Sequence, residues 1–147
     1  MIQFIRHAES LANIGHNIRD PGLSDNGKQQ AAALRGEVNL VITSCLKRTK
    51  ETLQYSNIKY KEVIESDLCR EYRGGSLSDY IDDENEKVVE NWIDFHCRMN
   101  RLRKLLKELS VKYDSIIVIS HSVFLTHFFK LDRGIYNCEI INYELPK

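Results

Sequence analysis

Two histidines follow apolar segments of this chain, and they are the residues best placed to do chemistry. Arg6 and His7 come directly after the apolar residues 2–5, and His121 follows a second apolar run at residues 116–119. Both runs have the length and composition of buried strands. The carboxyl ends of parallel strands meet at one crevice of an open α/β sheet. The two histidines and the arginine are therefore predicted to lie together, where they could act on an anion such as a phosphate.

Two further charged residues join this group if the intervening segments also form strands. Arg48 comes shortly after a predicted strand at residues 38–43, and Glu71 comes after one at residues 61–64. A guanidinium has a permanent charge and a planar set of donors that suit phosphoryl oxygens. One histidine could attack phosphorus, and the second could stabilise the charge on its oxygens. A carboxylic acid could protonate the departing oxygen, so this set does not require a metal ion or another cofactor.

Strand and helix patterns alternate along the chain, and these elements must position the reactive residues. Short apolar runs predict strands at residues 2–5, 38–43, 61–64 and 115–119, with a weaker edge strand at 139–145. Residue preferences and apolar spacing predict helices at residues 28–35, 46–54, 88–109 and 124–131. Ser24 and Ser44 are candidate N-caps of the first two helices. The alternation predicts an α/β fold with a largely parallel sheet, and residues 1–147 are expected to form a single domain.

The longest predicted helix, residues 88–109, has one apolar face and one charged face. Its apolar residues recur every three or four positions, which predicts a buried face that includes Trp92, Phe95 and Met99. The basic residues from Arg98 onwards are interpreted as a solvated face. The acidic residues 79–86 before the helix are predicted to form a solvated loop or a frayed helix start.

Composition excludes several classes of protein. The chain has 147 residues, of which 42% are hydrophobic, and its 21 Lys and Arg balance its 21 Asp and Glu. A nucleic-acid-binding protein usually has a basic excess, so no nucleic-acid partner is expected. No apolar run approaches the length of a membrane span, and the first residues lack a signal-peptide pattern.

The cysteines favour a reducing compartment. Four are present, none of them forms a C-x-x-C pair, and their irregular spacing argues against a zinc site or a disulfide scaffold. We therefore expect reduced thiols and a cytoplasmic location. The four are Cys45, Cys69, Cys97 and Cys138.

Five blocks of sequence, in order, resemble the histidine phosphatase superfamily, also called the phosphoglycerate-mutase-like family. Residues 6–13 (RHAESLAN) resemble its signature R-H-G-E-S-x-x-N, and residues 23–31 (LSDNGKQQA) resemble L-S-x-x-G-x-x-Q-A. Residues 44–52 (SCLKRTKET) resemble S-P-L-x-R-A-x-Q-T. Residues 68–75 (LCREYRGG) resemble L-x-E-x-x-x-G with one extra residue, and residues 120–122 (SHS) resemble S-H-G. The ordered set spans nearly the whole chain and is highly specific.

The resemblance implies a fold, an activity and a role for each matching residue. The fold would be a three-layer α/β/α sandwich. The activity would be metal-independent hydrolysis of phosphomonoesters through a phosphohistidine intermediate, without a cofactor. His7 would be the nucleophile, and Glu71 would be the general acid that later activates water. The phosphate-binding group would consist of Arg6, Asn13, Arg48 and His121, of which His121 is also catalytic.

The chain departs from the family pattern without losing a reactive group. Ala8, Cys45 and Ser122 replace a glycine, a proline and a glycine of the family blocks. Between Glu71 and His121 the sequence predicts one long helix and little else, where larger relatives insert a cap that recognises the substrate. This compactness favours hydrolysis over mutase action and predicts an open site rather than a narrow one.

Three functions remain as alternatives. The first is hydrolysis of a phosphorylated small molecule, and the second is removal of phosphate from phosphohistidine in a protein, as compact capless relatives do. The third is a regulatory module that binds phosphate without turnover. His16, in the loop after the first block, is either a substrate contact or a solvated loop residue. His96 and His127 are interpreted as structural residues.

Overall fold

A five-stranded sheet forms the centre of the computed structural model, which describes all 147 residues. Its strands are β1 (Ile2–Arg6), β2 (Arg35–Thr43), β3 (Asn57–Glu65), β4 (Ile116–Ser120) and β5 (Ile140–Tyr143). They lie in the order β3-β2-β4-β1-β5. The pairs β1–β4, β2–β4 and β2–β3 are parallel, and β5 is antiparallel to β1. The prediction of a largely parallel sheet with an edge strand near the C-terminus is confirmed.

Helices cover both faces of the sheet. They are α1 (Asp25–Ala32), α2 (Lys47–Tyr55), α3 (Trp92–Leu109) and α4 (Ser122–Phe128). Successive residues of a strand point to opposite faces, so Phe4 packs in the core shared with α3 and α4, whereas Ile5 packs with Leu34 and Leu53 on the side of α1 and α2. The fold is thus the expected three-layer α/β/α sandwich. None of the four helices is long and apolar enough to cross a membrane.

The position of β4 between β1 and β2 brings distant parts of the sequence to one edge of the sheet. Arg6 is paired with Ser120, and Thr43 is paired with Ile119. The backbone N–H of His7 donates to the carbonyl of Ser120 at 3.0 Å. The residues that follow β1, β2 and β4 therefore leave the sheet side by side.

Most helix boundaries differ from the predicted ones for local reasons. Helix α1 has the predicted N-cap, because the Ser24 hydroxyl accepts from the N–H of Gly27, but it ends at Ala32 and the chain enters β2 at Arg35. The prediction that Ser44 caps α2 is wrong: Leu46 holds the cap position, and the Ser44 hydroxyl bonds to His121 instead.

The last two helices are also shifted. Helix α3 begins at Trp92, because Asn91 caps it by accepting from the N–H of Asp94. Helix α4 begins directly after His121 and ends at Phe128, and Lys130 beyond it has a left-handed φ of 54°. Trp92 is half-exposed rather than part of the core, and its ring contacts His96 and His127, whereas Phe95 and Met99 are buried as predicted.

Candidate active site

His7 is a buried imidazole, and both of its ring nitrogens have hydrogen-bond partners. Its Nδ1 lies 2.6 Å from the carbonyl oxygen of Ala8, so Nδ1 must carry the ring proton and donate it. Nε2 therefore accepts, and the Nε–H of Arg48 points at it from 3.3 Å. Burial and the Arg48 charge hold the pKa of His7 well below its usual value. A neutral ring with an unprotonated Nε2 can attack an electrophile once that nitrogen exchanges its bond to Arg48 for the reacting atom.

His121 lies beside His7, with the two ring centroids 5.2 Å apart. Its Nε2 is 2.8 Å from the hydroxyl of Ser44, and its Nδ1 is buried with no partner in the protein. Burial and the charge of Arg48 lower the pKa of His121, which keeps this ring neutral. If the Ser44 hydroxyl donates to Nε2, the ring proton sits on Nδ1 and is available to an oxyanion.

Arg48 is fully engaged by its surroundings. It lies in the first turn of α2 and is almost completely buried. Nε donates to His7, Nη1 donates to the carbonyl of Ser78 at 2.8 Å, and Nη2 forms an ion pair with Asp79 at 2.7 Å. The arginine thus joins the nucleophile candidate to the turn Leu77–Asp79.

Arg6 and Asn13 lie on another side of His7. Nη1 of Arg6 donates to the carbonyl of Ile135, and its Nε is buried with no partner. Burial lowers the pKa of Arg6, which is close enough to Arg48 for that charge to lower it further. Asn13 is exposed, and the side chain of Asn137 donates both to its Oδ1, at 3.5 Å, and to the carbonyl of His7, at 3.0 Å. No local pattern in the sequence marks Asn137, because its partners are far away along the chain.

The side chain of Glu71 is buried against the N-terminus of α4. Its carboxylate accepts from the N–H groups of Val123 at 3.1 Å, Phe124 at 2.8 Å and Tyr72 at 2.9 Å. Burial raises the pKa of Glu71, and the nearby charge of Asp79 raises it further against the effect of the three donors. A raised pKa suits a carboxyl group that must hold a proton near neutral pH.

Arg98 also belongs to this region, although this was not predicted from the sequence. The prediction that Arg98 lies on a solvated face is wrong. It forms a two-point ion pair with Glu90, at 2.9 and 2.8 Å, and donates to the carbonyls of residues 67, 68, 70 and 71. It therefore holds the backbone that carries Glu71. The available signal was its spacing, since Arg98 follows Phe95 by three positions and falls on the buried face of α3.

The prediction of a solvated loop for the acidic residues 79–86 is confirmed for Asp82, Asp83 and Glu86, which are exposed, but not for Asp79 and Glu84. Asp79 is buried against Arg48, and Glu84 pairs with Arg70. Buried guanidinium groups require partners, and these carboxylates supply them. An open approach to the site stays a prediction, although the reactive side chains themselves are buried. The exposed fractions of His7, Arg48, Glu71 and His121 are only 3%, 4%, 7% and 0%.

His16 is exposed at the rim of this region. It lines a shallow cavity of about 180 Å³ together with Ala12, Gly15, Asn17, Ser76 and Ser78. Since Ser78 also contacts Arg48, the cavity adjoins the turn that covers the site. A substrate contact by His16 stays a prediction.

No metal-binding cluster is evident, and the thiol of Cys45 is not activated. No group of three or more His, Cys, Asp or Glu side chains is arranged to hold a metal ion. All four cysteines are free. Burial raises the pKa of the Cys45 thiol to about 12, so it is protonated and unreactive near neutral pH.

A model of the histidine phosphatase superfamily (branch 1) matches residues 2–131. Phosphoserine phosphatase 1 of Hydrogenobacter thermophilus is 29% identical over 170 aligned residues, which cover 97% of this chain and 77% of that protein.

Solved structures share the fold at low sequence identity. The product of an open reading frame of Mycobacterium tuberculosis superposes with a TM-score of 0.68 at 19% identity, covering 95% of this chain and 88% of that one. A mycobacterial glucosyl-3-phosphoglycerate phosphatase, solved with VO3, superposes with a TM-score of 0.65 at 16% identity, with the same two coverages.

We expect the two buried neutral histidines to make stability depend on pH. In the unfolded chain, the imidazoles of His7 and His121 bind protons near a pH of about 6.5. In the folded protein the pKa values of both histidines are lower. The free energy of unfolding should therefore fall as the pH drops through about 6.5. In urea unfolding, His121→Gln should flatten this slope by up to one proton, whereas the exposed His96→Gln should keep it. Equal slopes for the wild type and His121→Gln would contradict the account.

Loss of Arg98 should be costly, because it would leave the Glu90 carboxylate buried without a cation. We expect Arg98→Met to lower the free energy of unfolding by about 3–5 kcal/mol. Arg101→Met, at an exposed position of the same helix, should change it by less than about 0.5 kcal/mol. Similar values for the two variants would show that Arg98 does not hold the segment of Glu71.

Proposed function

The chain belongs to the histidine phosphatase superfamily, and on that premise we propose that it hydrolyses phosphomonoesters through a phosphohistidine on His7, without a metal ion. The observation that carries the proposal is the unprotonated Nε2 of a buried neutral imidazole, which accepts from Nε of Arg48 at 3.3 Å. Such a nitrogen has both the lone pair to attack phosphorus and a cation beside it to receive the phosphoryl oxygens.

Two steps account for the reaction. In the first, His7 Nε2 forms a bond to phosphorus while the bond to the leaving oxygen breaks, and Glu71 gives that oxygen a proton. The Ala8 carbonyl, which accepts from Nδ1, stabilises the positive charge that develops on the ring. In the second step, water attacks phosphorus, Glu71 takes a proton from it, and the electrons of the P–N bond return to Nε2.

The phosphoryl oxygens would meet donors that lack partners in the protein. Nε of Arg6 and Nδ1 of His121 are both buried and unpaired. An unpaired buried donor costs about 1–3 kcal/mol, and a phosphoryl oxygen would offset that cost. Together with Arg48 these groups supply the charge stabilisation for which other phosphatases use a metal ion.

The burial of the site favours a small substrate. A phosphohistidine side chain of a folded protein would need an open cleft, and the reactive groups here are less than 10% exposed. The named relatives act on phosphoserine and on glucosyl-3-phosphoglycerate, both phosphorylated small molecules. We therefore favour a phosphorylated small molecule over a phosphoprotein. The presence of His7, Arg48 and Glu71 together argues against a module that binds phosphate without turnover.

Trapping of the intermediate tests this proposal. A rapid acid-free quench of the enzyme with a ³²P-labelled phosphomonoester, in EDTA, should leave label on the wild type and on His96→Ala, with none on His7→Ala. The label should be lost on mild acid treatment, because a phosphoramidate is acid-labile. Label that persists in folded His7→Ala would refute the nucleophile. Label that appears only after magnesium or zinc is added back would refute metal independence.

The acid is tested by varying the leaving group. In single-turnover phosphorylation, Glu71→Gln should slow an alkyl phosphate by about 10²–10⁴-fold, because an alkoxide needs a proton to leave. The same variant should slow p-nitrophenyl phosphate far less, since nitrophenolate leaves unprotonated. Glu65→Gln is the matched control, because Glu65 is exposed and pairs with Lys50, and it should behave as the wild type. Equal losses for both esters in Glu71→Gln would exclude Glu71 as the acid.

A further inference from the structure

One edge of the Arg48 guanidinium is shared between the nucleophile candidate and a carboxylate. Nε and Nη2 form the planar edge with which an arginine binds two oxygens of a phosphate. Here Nε donates to His7 Nε2, and Nη2 donates to Asp79 Oδ1 at 2.7 Å. A phosphoryl group bonded to His7 Nε2 would place its oxygens at this edge. The carboxylate of Asp79 therefore holds a position that the phosphoryl oxygens need.

Both groups cannot remain there as anions. Like charges in a buried site repel strongly, because little solvent screens them. The Asp79 side chain is only 13% exposed, and that of Arg48 only 5%. The carboxylate must leave Arg48, take up a proton or keep the phosphate out, and the position of a second arginine favours the first of these.

A second arginine offers the departing carboxylate a free donor. Nη2 of Arg70 donates to the main-chain carbonyl of Asp79 at 2.8 Å and also pairs with Glu84. Nε of Arg70, on the same edge as Nη2, is buried and has no partner. This is the kind of group that gains most from a new hydrogen bond. Because Arg70 already holds the backbone of Asp79, the free donor lies close to the same residue.

The backbone around Asp79 is anchored, so only its side chain has to move. Tyr80 is completely buried, and its hydroxyl donates to the carbonyl of Val88 at 3.0 Å. The bond from Arg70 to the Asp79 carbonyl fixes the peptide between Asp79 and Tyr80, and the bond from Arg48 to the Ser78 carbonyl fixes the peptide before Asp79. Rotation of the Asp79 side chain would thus exchange one arginine for the other without unfolding the turn Leu77–Asp79.

We propose that Asp79 is a two-position switch: its carboxylate pairs with Arg48 when the site is empty and moves to Nε of Arg70 when a phosphate binds. The inference rests on the proposed function, since it takes the His7–Arg48 pair as the phosphate site. In the empty enzyme the switch keeps Arg48 paired. In the complex it keeps the displaced carboxylate paired.

Binding of inorganic phosphate, measured by calorimetry, tests the switch. Asp79→Asn and Asp79→Ala remove the competing charge, so both should bind phosphate at least about tenfold more tightly than the wild type. Arg70→Met removes the receiving donor and should weaken binding. Glu84→Gln is the matched control, because it removes the ion pair between Arg70 and Glu84 but leaves Nε of Arg70 in place. This variant should bind phosphate as tightly as the wild type. Unchanged or weaker binding by the Asp79 variants would overturn the switch.

The double variant and a parallel assay separate the possible failures. Asp79→Asn combined with Arg70→Met should bind phosphate as tightly as Asp79→Asn alone, because no carboxylate remains to be received. A further loss in the double variant would contradict the role of Arg70. Hydrolysis of phosphomonoesters by the wild type is measured alongside. An active wild type with unchanged phosphate affinity in Asp79→Asn refutes the switch alone, whereas a wild type that neither hydrolyses nor forms phospho-His7 refutes the proposed function as well.

A measurement on the wild type keeps the test decisive if the variants fail to fold. The Nε–H resonance of Arg70, followed by NMR, should shift as phosphate is added, because this donor gains a partner. An Arg70 resonance that stays unchanged at saturating phosphate would contradict the switch.

Discussion

The contact between Arg48 and His7 is the interaction on which the rest of the site depends. A fixed positive charge 3.3 Å from Nε2, in buried surroundings, opposes protonation of the imidazole. The bond from Nδ1 to Ala8 sets the tautomer, so the lone pair stays on the nitrogen that faces the arginine. Because Arg48 is buried, its other N–H groups must also find hydrogen-bond acceptors.

The segment between β3 and α3 supplies acceptors for Arg48 and for two more buried arginines, and these contacts organise the segment. Arg48 pairs with Asp79, Arg70 holds the carbonyl of Asp79, and Arg98 holds the backbone that carries Glu71. Apart from His7, the partners of these arginines lie within residues 67–90, which contain only short 3₁₀ turns. Polar contacts to these three arginines therefore replace regular secondary structure in fixing this segment over the site.

The sequence was sufficient to place the residues that follow the ends of strands. Two apolar runs followed by His7 and His121 predicted their proximity, because parallel strands release their next residues at one edge of the sheet. The sequence was insufficient where a partner is distant along the chain. Nothing local indicates that Asp79 pairs with Arg48, or that the Ser44 hydroxyl bonds to His121 rather than capping α2. The burial of Asp79 was missed for the same reason, since an acidic run does not show which of its carboxylates pairs with a distant arginine.

A crystal structure with bound vanadate would test the central claim most directly. The account expects vanadium bonded to Nε2 of His7, with vanadate oxygens in contact with Arg48, Nε of Arg6 and Nδ1 of His121. It also expects the bond from Nδ1 of His7 to the Ala8 carbonyl to remain. Vanadate bound away from His7, or an Nε2 that is protonated and donates to the anion, would contradict the claim that this buried neutral imidazole is the nucleophile.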